Sequence, residues 1–420
     1  MLKYLKWFFR LFSRYANSFE KKVDKFFKNI KSTDSIADIN KNLLKLMQKN
    51  LIVVNIWLEK KYKGYKYLSK GARKNMYENA NIIVKKFQEF SSAKQSSINN
   101  LKKELSEKGL QFPTGDEDKI KYLYEIMQFL KPGLYYKYIK TASFGKLLRD
   151  PNKNKLEGDC NQIVTLYIYL FSLRFSIDDL EIKLLPEHVC LHFRGIDIEA
   201  THGMFQKYRE KDQILPVTEI ISTNLLDLTD YREELQNISS RVMVKSAQLA
   251  YAVSSLKPLV AKNLNIAYRN LAGGAMMAND FDTAIFYYSK AGDREALRRA
   301  YRNAAIYYMK NNNFSKAYYF AGRSGDRDLE KNVKYNEGVY YYNEDILDKA
   351  LSIFSVLGEE KMKKSCYAKM YKNLAKKVSG VKTVKAARRH KSTYRKMLGL
   401  AKKMGNSRLE RGIRDTLRKL

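Results

Sequence analysis

The stretch that decides the fold of this chain reads Leu156-Glu-Gly-Asp-Cys-Asn-Gln162. It opens a helix, because Asp159 or Gly158 can serve as the N-cap ahead of a long apolar run. The helix ends near Arg174, and its broad apolar stripe predicts that it is buried. The stripe consists of Ile163, Val164, Leu166, Tyr167, Leu170 and Phe171.

Three short runs of β type follow this helix, at residues 180–185, 188–194 and 196–201. The first two alternate apolar with polar side chains, as half-buried strands do. Gly195 provides the turn between the second run and the third. The predicted order is therefore one helix followed by an antiparallel sheet.

Cys160 falls in the first turn of the predicted helix, which is an unusual position for a structural cysteine. The free N–H groups and the dipole of a helix N-terminus favour a thiolate there. They also supply donors for an oxyanion. Three of the four histidines, His188, His192 and His202, fall in one short window after it. This grouping makes the region a candidate site.

A cysteine nucleophile needs an imidazole as general base and later as general acid. His188 begins the second β run after Cys160. The imidazole in turn needs a partner that orients its second nitrogen. The next strand offers two carboxylates, Asp197 and Glu199, which share a face because they are two residues apart. Either carboxylate could reach His188.

These residues resemble a known group, the transglutaminase-like superfamily of the broader papain-like class. The motifs that carry the resemblance are Gly158-Asp-Cys160, Pro186-Glu-His188-Val and Asp197-Ile-Glu199-Ala-Thr-His-Gly203. They lie within roughly residues 115–215, and Val189 stands where the family often has an aromatic residue. The resemblance implies Cys160 as nucleophile, His188 as base and Glu199 as orienting acid, with Asp197 as the alternative. It also implies acyl transfer through a thioester, in peptide hydrolysis, glutamine deamidation or crosslinking, although some members are inactive.

A metal site built from His188, Cys190, His192 and His202 is the competing interpretation of the same window. The first three share one face of a strand, but positions i, i+2 and i+4 spread over about 13 Å. One ion could not take all three, so we expect neither a metal nor a cofactor. We interpret Cys190 as a wall residue and Cys366, which has no histidine nearby, as structural.

A second pattern recurs at one constant interval in the later part of the chain. The matching sets are Phe281, Phe314 and Leu347; Ala284, Ala317 and Ala350; and Gly292, Gly325 and Gly358. The pattern predicts two-helix units and resembles the tetratricopeptide repeat family, whose Trp and Pro markers are missing here. The resemblance implies an α-solenoid whose concave face binds a protein partner.

The formal net charge of +35 is concentrated at the two ends. Residues 1–100 carry 22 Lys and Arg against 7 Asp and Glu, and residues 361–420 carry 21 against 2. The remaining residues are close to neutral. Basic ends favour an anionic partner, either a membrane surface or a nucleic acid. The alternative is a solvated surface without a specific partner.

The first residues are basic and aromatic, and they match a signal peptide poorly because they lack an uninterrupted apolar core and a small-residue cleavage site. They could lie on a membrane as an amphipathic helix with Trp7, Phe8, Leu11 and Phe12 inserted, or pack on their own domain. No apolar run is long enough for a transmembrane helix. Three cysteines are too few for a disulfide framework, so we expect a cytoplasmic protein, with peripheral membrane association as an option.

The sequence therefore predicts a mainly α chain with a small α+β domain. Its segments are a basic helical region (1–110), a transglutaminase-like domain (111–240), tetratricopeptide-like repeats (241–360) and a basic helical tail (361–420). The first hypothesis is a thiol enzyme that acts on protein or peptide amides, with a partner recruited by the repeats. The second is a non-catalytic scaffold that retains the domain as a shell. The third is a nucleic-acid-associated protein.

Overall fold

The structure is a computed structural model. It describes residues 13–31, 33–93, 97–209, 213–227 and 239–420. The chain forms two compact units, Met1–Leu271 and Ala272–Leu420. The membrane-surface helix expected from Trp7, Phe8, Leu11 and Phe12 lies outside the described residues. No helix in the described ranges combines the length and the apolar character needed to cross a bilayer.

Helices enclose a small sheet in the first unit. The helices that begin there are α1 (Ser18–Asn29), α2 (Ile36–Leu58), α3 (Lys70–Ala93), α4 (Ile98–Glu107), α5 (Glu117–Phe129), α6 (Cys160–Phe171), α7 (Glu219–Leu226), α8 (Ser240–Val253) and α9 (Lys257–Met277). A π-helical turn, Glu59–Lys63, extends α2. Short 3₁₀ turns cover Phe144–Lys146 and Ile177–Asp179.

The strands lie in the middle of the chain. They are β1 (Tyr136–Tyr138), β2 (Leu156–Gly158), β3 (Glu181–Leu185), β4 (His188–Phe193), β5 (Ile196–Glu199), β6 (Met204–Gln206) and β7 (Ile214–Pro216). Five of them form an antiparallel sheet in the order β6-β5-β4-β3-β7, and β1 pairs with β2 in parallel. The prediction of a mainly helical chain with a small antiparallel sheet is confirmed.

Two tight turns set the register of the central strands. Arg194 and Gly195 both have positive φ, 49° and 83°, as a two-residue hairpin turn between twisted strands requires. Glu187, with φ of 55°, turns the chain between β3 and β4. The resulting register sets Asp197 directly opposite His192.

The sheet has one apolar face and one polar face. On β4, Val189, Leu191 and Phe193 are buried, and the Phe193 ring lies 6.5 Å from that of Phe171 on α6. The alternate residues of β4 include His188 and His192, which point to the opposite face. The carboxylates of β5 contact these two histidines. One face of the sheet therefore packs on α6, and the other carries the polar side chains.

The N-terminal helices belong to the same core as the sheet. On α2, the buried residues before Leu51 are Ile39, Leu43 and Met47, which follow one side of the helix, but every residue from Leu51 to Leu58 is buried. This half of α2 is buried all round, because it contacts α6, α7 and α8. One apolar cluster extends from Val23 through the sheet to Val260. The segments predicted as 1–110 and 111–240 are thus grouped in one unit.

The second unit consists of helices. They are α10 (Phe281–Lys290), α11 (Arg294–Lys310), α12 (Phe314–Ser324), α13 (Arg327–Asn343), α14 (Leu347–Leu357), α15 (Glu360–Val378), α16 (Val384–Arg389), α17 (Lys391–Met404) and α18 (Ser407–Lys419). From α10 to α15, each helix packs against the next. Helices continue through residues 361–420, the segment for which the sequence predicted a basic helical tail.

The constant interval of the sequence pattern recurs in the helix boundaries. It separates the starts of α10, α12 and α14, and it also separates those of α11, α13 and α15. The turns repeat as well, because Asn279, Asn312 and Asp345 all have positive φ. Ala284, Ala317 and Ala350 are fully buried, which agrees with their interpretation as packing positions. Equivalent residues thus perform equivalent structural tasks in three successive helix pairs.

Candidate active site

Cys160 is the first residue of α6, and its surroundings hold that helix start in place. Asp159 is the N-cap, and its carboxylate accepts the Asn161 N–H at 3.1 Å. The Gln162 side chain accepts the Asp159 N–H at 3.2 Å, which completes a capping box. Burial and the nearby charge of Asp227 raise the pKa of Asp159 to about 7. The Cys160 side chain is partly exposed.

His188 connects Cys160 to a carboxylate. Its Nε2 lies 2.7 Å from Oε2 of Glu199, and the Cys160 side chain is near enough to the ring to affect its protonation. Because Nε2 bonds to Glu199, Nδ1 is the ring nitrogen that remains for proton exchange with a reacting group. The interactions with Cys160 and Glu199 outweigh burial and raise the pKa of His188 to about 10. This arrangement favours the imidazolium form.

Glu199 is buried and accepts hydrogen bonds at both oxygens. Oε2 accepts from His188 and from the Tyr208 hydroxyl at 2.8 Å, and Oε1 accepts from the Thr201 N–H at 3.1 Å and from the Thr201 hydroxyl. Burial disfavours the ionised form, but the donors, above all His188, prevail and lower the pKa of Glu199 to about 2. A carboxylate with this many donors holds one orientation.

Asp197 lies with a different histidine. Its Oδ1 is 2.5 Å from Nδ1 of His192, and its Oδ2 is 2.9 Å from Nζ of Lys183. The cause is the strand register, which sets Asp197 opposite His192 and two residues away from Glu199. Burial opposes its ionisation, but the bonds from His192 and Lys183 lower the pKa of Asp197. The alternative in which Asp197 orients His188 is therefore not the arrangement in the structure.

The remaining histidines and cysteines of the window do not converge. Cys190 is fully buried, and burial raises the pKa of its thiol. His202 is 71% exposed, with Nδ1 3.8 Å from Oε1 of Glu199. Cys366 is buried in the second unit. Across the described ranges, His, Cys, Asp and Glu side chains form no group of three suited to a metal ion.

A cavity of about 490 Å³ opens beside the imidazole. It is lined by Pro132, Tyr138, His188, Glu199, Thr201, His202 and Tyr208. His188 is 25% exposed here, whereas Glu199 behind it is 3% exposed. The histidine therefore has one side available to a ligand and the other fixed by a buried carboxylate.

Sequence reasoning missed three residues of this site. Thr201 appears in the Glu-Ala-Thr motif, but its two hydrogen bonds to Glu199 were not expected. Tyr208 reaches Glu199 because the chain after β6 folds back. No local sequence pattern predicts this return of the chain. Tyr138 lies on β1, which is too short for a periodic signal. Burial, together with the nearby charge of Asp159, raises the pKa of Tyr138.

Comparison with known proteins adds no relative of this chain. No protein-family model matches it, and no curated protein is significantly similar in sequence. Each residue of the site is therefore interpreted from its own contacts.

Proposed function

We propose that this protein is a transglutaminase-like thiol enzyme that transfers acyl groups from protein or peptide amides. The observation that carries the proposal is the grouping of Cys160, His188 and Glu199, in which His188 bonds to Glu199 and interacts with the Cys160 side chain. It joins a thiol at a helix N-terminus, an imidazole beside an open cavity and a buried carboxylate. Each position matches what nucleophilic catalysis by cysteine requires.

In the first step, Sγ of Cys160 attacks the carbonyl carbon of the amide as a thiolate. The electron pair of the C=O bond moves to oxygen, where the main-chain N–H of Cys160, at the first position of α6, can stabilise the oxyanion. The C–N bond then breaks as Nδ1 of His188 gives its proton to the leaving nitrogen. The products are a thioester on Cys160 and ammonia or an amine.

In the second step, neutral His188 takes a proton from water or from an acceptor amine. That nucleophile attacks the thioester carbon, and the C–S bond breaks to return Sγ as a thiolate beside the imidazolium. Glu199 keeps its charge throughout, orients the ring and stabilises the imidazolium. Water yields hydrolysis or deamidation, and an amine yields transfer.

We propose that the helix pairs of the second unit recruit a protein partner. Phe286 and Tyr319 occupy equivalent positions of the repeat on α10 and α12 and are 53% and 57% exposed. Each has a cation above its ring, Lys290 at 5.6 Å and Arg323 at 5.5 Å. Exposed aromatic side chains with a polar neighbour are typical anchors of protein interfaces.

The enzymatic proposal is tested with a proteome-derived peptide library and hydroxylamine as the acceptor. Hydroxylamine converts a thioester into a hydroxamate, which mass spectrometry locates on a glutamine side chain or at a cleaved backbone. We expect hydroxamates with the wild-type protein and none with Cys160→Ala. The matched control, Cys366→Ala, should behave like the wild type.

The position of the hydroxamate identifies the reaction. Modification of glutamine side chains indicates deamidation or transfer, and modification of new C-termini indicates peptide hydrolysis. Hydroxamates that persist in Cys160→Ala, or their absence from the wild-type protein, would reject the enzymatic proposal and leave the non-catalytic scaffold.

A further inference from the structure

The charge of the second unit changes abruptly along its helices. Residues 281–360, which include helices α10 to α14, carry 12 Lys and Arg against 12 Asp and Glu. Residues 361–420 carry 21 against 2. Both segments are helical and belong to the same unit. The excess of positive charge in residues 361–420 is therefore not needed for helices of this unit to pack.

Most of these cations face solvent without a counter-ion. Of the 21 Lys and Arg in residues 361–420, 18 are exposed. Among those 18, ion pairs form at Arg414 with Glu410 and at Arg418 with Asp415, and the segment is described throughout. The other 16 exposed cations lack an acidic partner there. Repulsion among like charges at this density costs stability, which a bound polyanion would relieve.

The arginines and lysines form rows on two helices that pack together. On α17, the half-buried Lys391 and the exposed Arg395 and Lys402 are four and seven residues apart, which sets them on one side of the helix. On α18, Arg408 and Arg411 lie on one side, with Arg418 a further seven residues along. Each row extends over about 15 Å at 1.5 Å per residue. Rows of this length can meet several consecutive phosphates.

The same surface lacks the apolar anchors that a membrane-bound helix inserts. Val384, 52% exposed, is the exposed large hydrophobic residue of residues 361–420, all of which are described. A membrane-surface helix would present aromatic and leucine side chains opposite its cations. Arginine, in contrast, matches phosphate geometry through its planar, multidentate donor group. Of the two anionic partners, a nucleic acid fits this surface better.

We propose that the helices of residues 361–420 bind the phosphate backbone of a nucleic acid. Binding of this kind neutralises phosphates, releases condensed counterions and depends little on base sequence. The proposal stands on the surface charge alone, so it does not depend on the acyl-transfer activity. It adds a second ligand class to a chain whose other candidate site lies in the first unit.

The test uses the full-length chain and fluorescence anisotropy with short labelled duplex DNA and single-stranded RNA. Affinity is measured at several salt concentrations between about 50 and 200 mM, where backbone binding loses affinity steeply. The variant combines Arg395→Gln, Arg408→Gln and Arg411→Gln, which are exposed and unpaired. The matched control combines Arg294→Gln, Arg327→Gln and Lys331→Gln, three exposed cations of the neutral helices that form no ion pair there.

We expect the first variant to reduce the slope of log K against log salt by about 3, at about 0.9 per phosphate contact. The control should leave both the slope and the affinity unchanged, although its net charge changes equally. An equal loss of nucleic-acid affinity in both variants would reject a specific surface.

In a second experiment, the same proteins are added to phosphatidylcholine vesicles with and without phosphatidylserine. Binding to the anionic vesicles that exceeds nucleic-acid binding and falls only in the first variant would overturn the proposal in favour of a membrane.

Discussion

Tyr208 and His188 donate to the same oxygen of Glu199. The Tyr208 hydroxyl lies 2.8 Å from Oε2, and Nε2 of His188 lies 2.7 Å from it. The main chain of Tyr208 is held separately, because its N–H donates to Asp197 at 2.7 Å and its carbonyl accepts from Lys183 at 2.9 Å. The buried Asp197 network therefore fixes the tyrosine that in turn restrains the Glu199 carboxylate.

The variant Tyr208→Phe isolates this restraint, since it removes the hydroxyl and keeps the main-chain bonds. We expect the rate of the proposed acyl transfer to fall about 10- to 100-fold, because one hydrogen bond to a charged group is worth about 1.5–3 kcal/mol. The remaining charge of Glu199 should hold the imidazolium more strongly. The descending limb of the pH–rate profile, set by His188, is therefore expected to move to higher pH.

The control is Tyr122→Phe, which also removes a buried hydroxyl. That hydroxyl donates to the Leu170 carbonyl at 3.2 Å, at the C-terminal end of α6 and away from Cys160. Both variants lose some stability, but only Tyr208→Phe should change the pH profile. An unchanged profile in Tyr208→Phe would reduce this tyrosine to a packing role.

Glu199→Gln and Asp197→Asn distinguish the two carboxylates of β5. We expect Glu199→Gln to lower the pKa of His188 below its native value of about 10, because it removes a charged partner. Asp197→Asn should leave that pKa near 10 and cost about 3 kcal/mol of stability, since Lys183 becomes a buried charge without its carboxylate. NMR titration of the histidine imidazoles measures the first effect, and urea unfolding measures the second. The reverse result would make Asp197 the orienting acid.

The His188–Glu199 pair also predicts how stability depends on pH. The pKa of His188 rises from 6.5 to about 10, so its contribution is complete below pH 6.5 and is lost as pH rises through about 10. The pKa of Glu199 falls from 4.5 to about 2, so its contribution is complete above pH 4.5 and is lost as pH falls through about 2. The free energy of unfolding of wild type should exceed that of Glu199→Gln most between these limits, by about 2 kcal/mol. Urea unfolding inside the window and at its two ends measures this difference, and a constant difference would contradict the pairing.

The three cysteines should differ in reactivity toward iodoacetamide. Cys190 and Cys366 are buried, and burial raises the pKa of both thiols, whereas Cys160 is partly exposed beside His188. At about pH 6 an ordinary thiol is protonated, so we expect alkylation at Cys160 alone. Peptide mapping by mass spectrometry identifies the site. His188→Ala should abolish this reaction at about pH 6. Equal labelling of all three cysteines would contradict the prediction that His188 activates the Cys160 thiol.

Gly338 on α13 is expected to resist substitution. A Cβ atom there would lie 2.8 Å from Cε1 of Phe354 and 3.0 Å from Cγ2 of Ile353, both on α14. Gly338→Ala should therefore destabilise the second unit by about 1–3 kcal/mol through overpacking. The control, Gly322→Ala on α12, has open space around its Cβ and should gain about 1 kcal/mol from helix propensity. Thermal unfolding of both variants tests the close approach of the two helices.

The parts of the fold that follow short-range rules were predictable. The start of α6 depends on a capping residue, and the β3–β4–β5 meander depends on alternation and on Gly195, so both could be placed to within a few residues. β1 and β2 could not, because three-residue parallel strands have no period to detect. The all-round burial of Leu51–Leu58 was also hidden, since its neighbours on α6, α7 and α8 come from distant parts of the chain.

The residues of the candidate site were likewise predictable only where short-range patterns identify them. Helix and strand periodicity were enough to bring Cys160 and His188 into consideration. Periodicity could not choose between Asp197 and Glu199, because both point to one face and only their partners separate them. Those partners are Lys183, His192 and Tyr208, which the register and the return of the chain after β6 bring together.

The equal spacing of the helix starts in the second unit has a consequence for how this chain can change. Asn312 and Asp345 make the same left-handed turn two residues before a helix begins, at equivalent positions of successive helix pairs. If one helix pair were deleted so that Asn312 was followed directly by Ile346, the shortened chain would still contain the turn, the start of a helix and the small packing residue Ala350. Gene duplication or deletion in steps of one whole helix pair could therefore lengthen or shorten this unit without requiring a new interface to evolve.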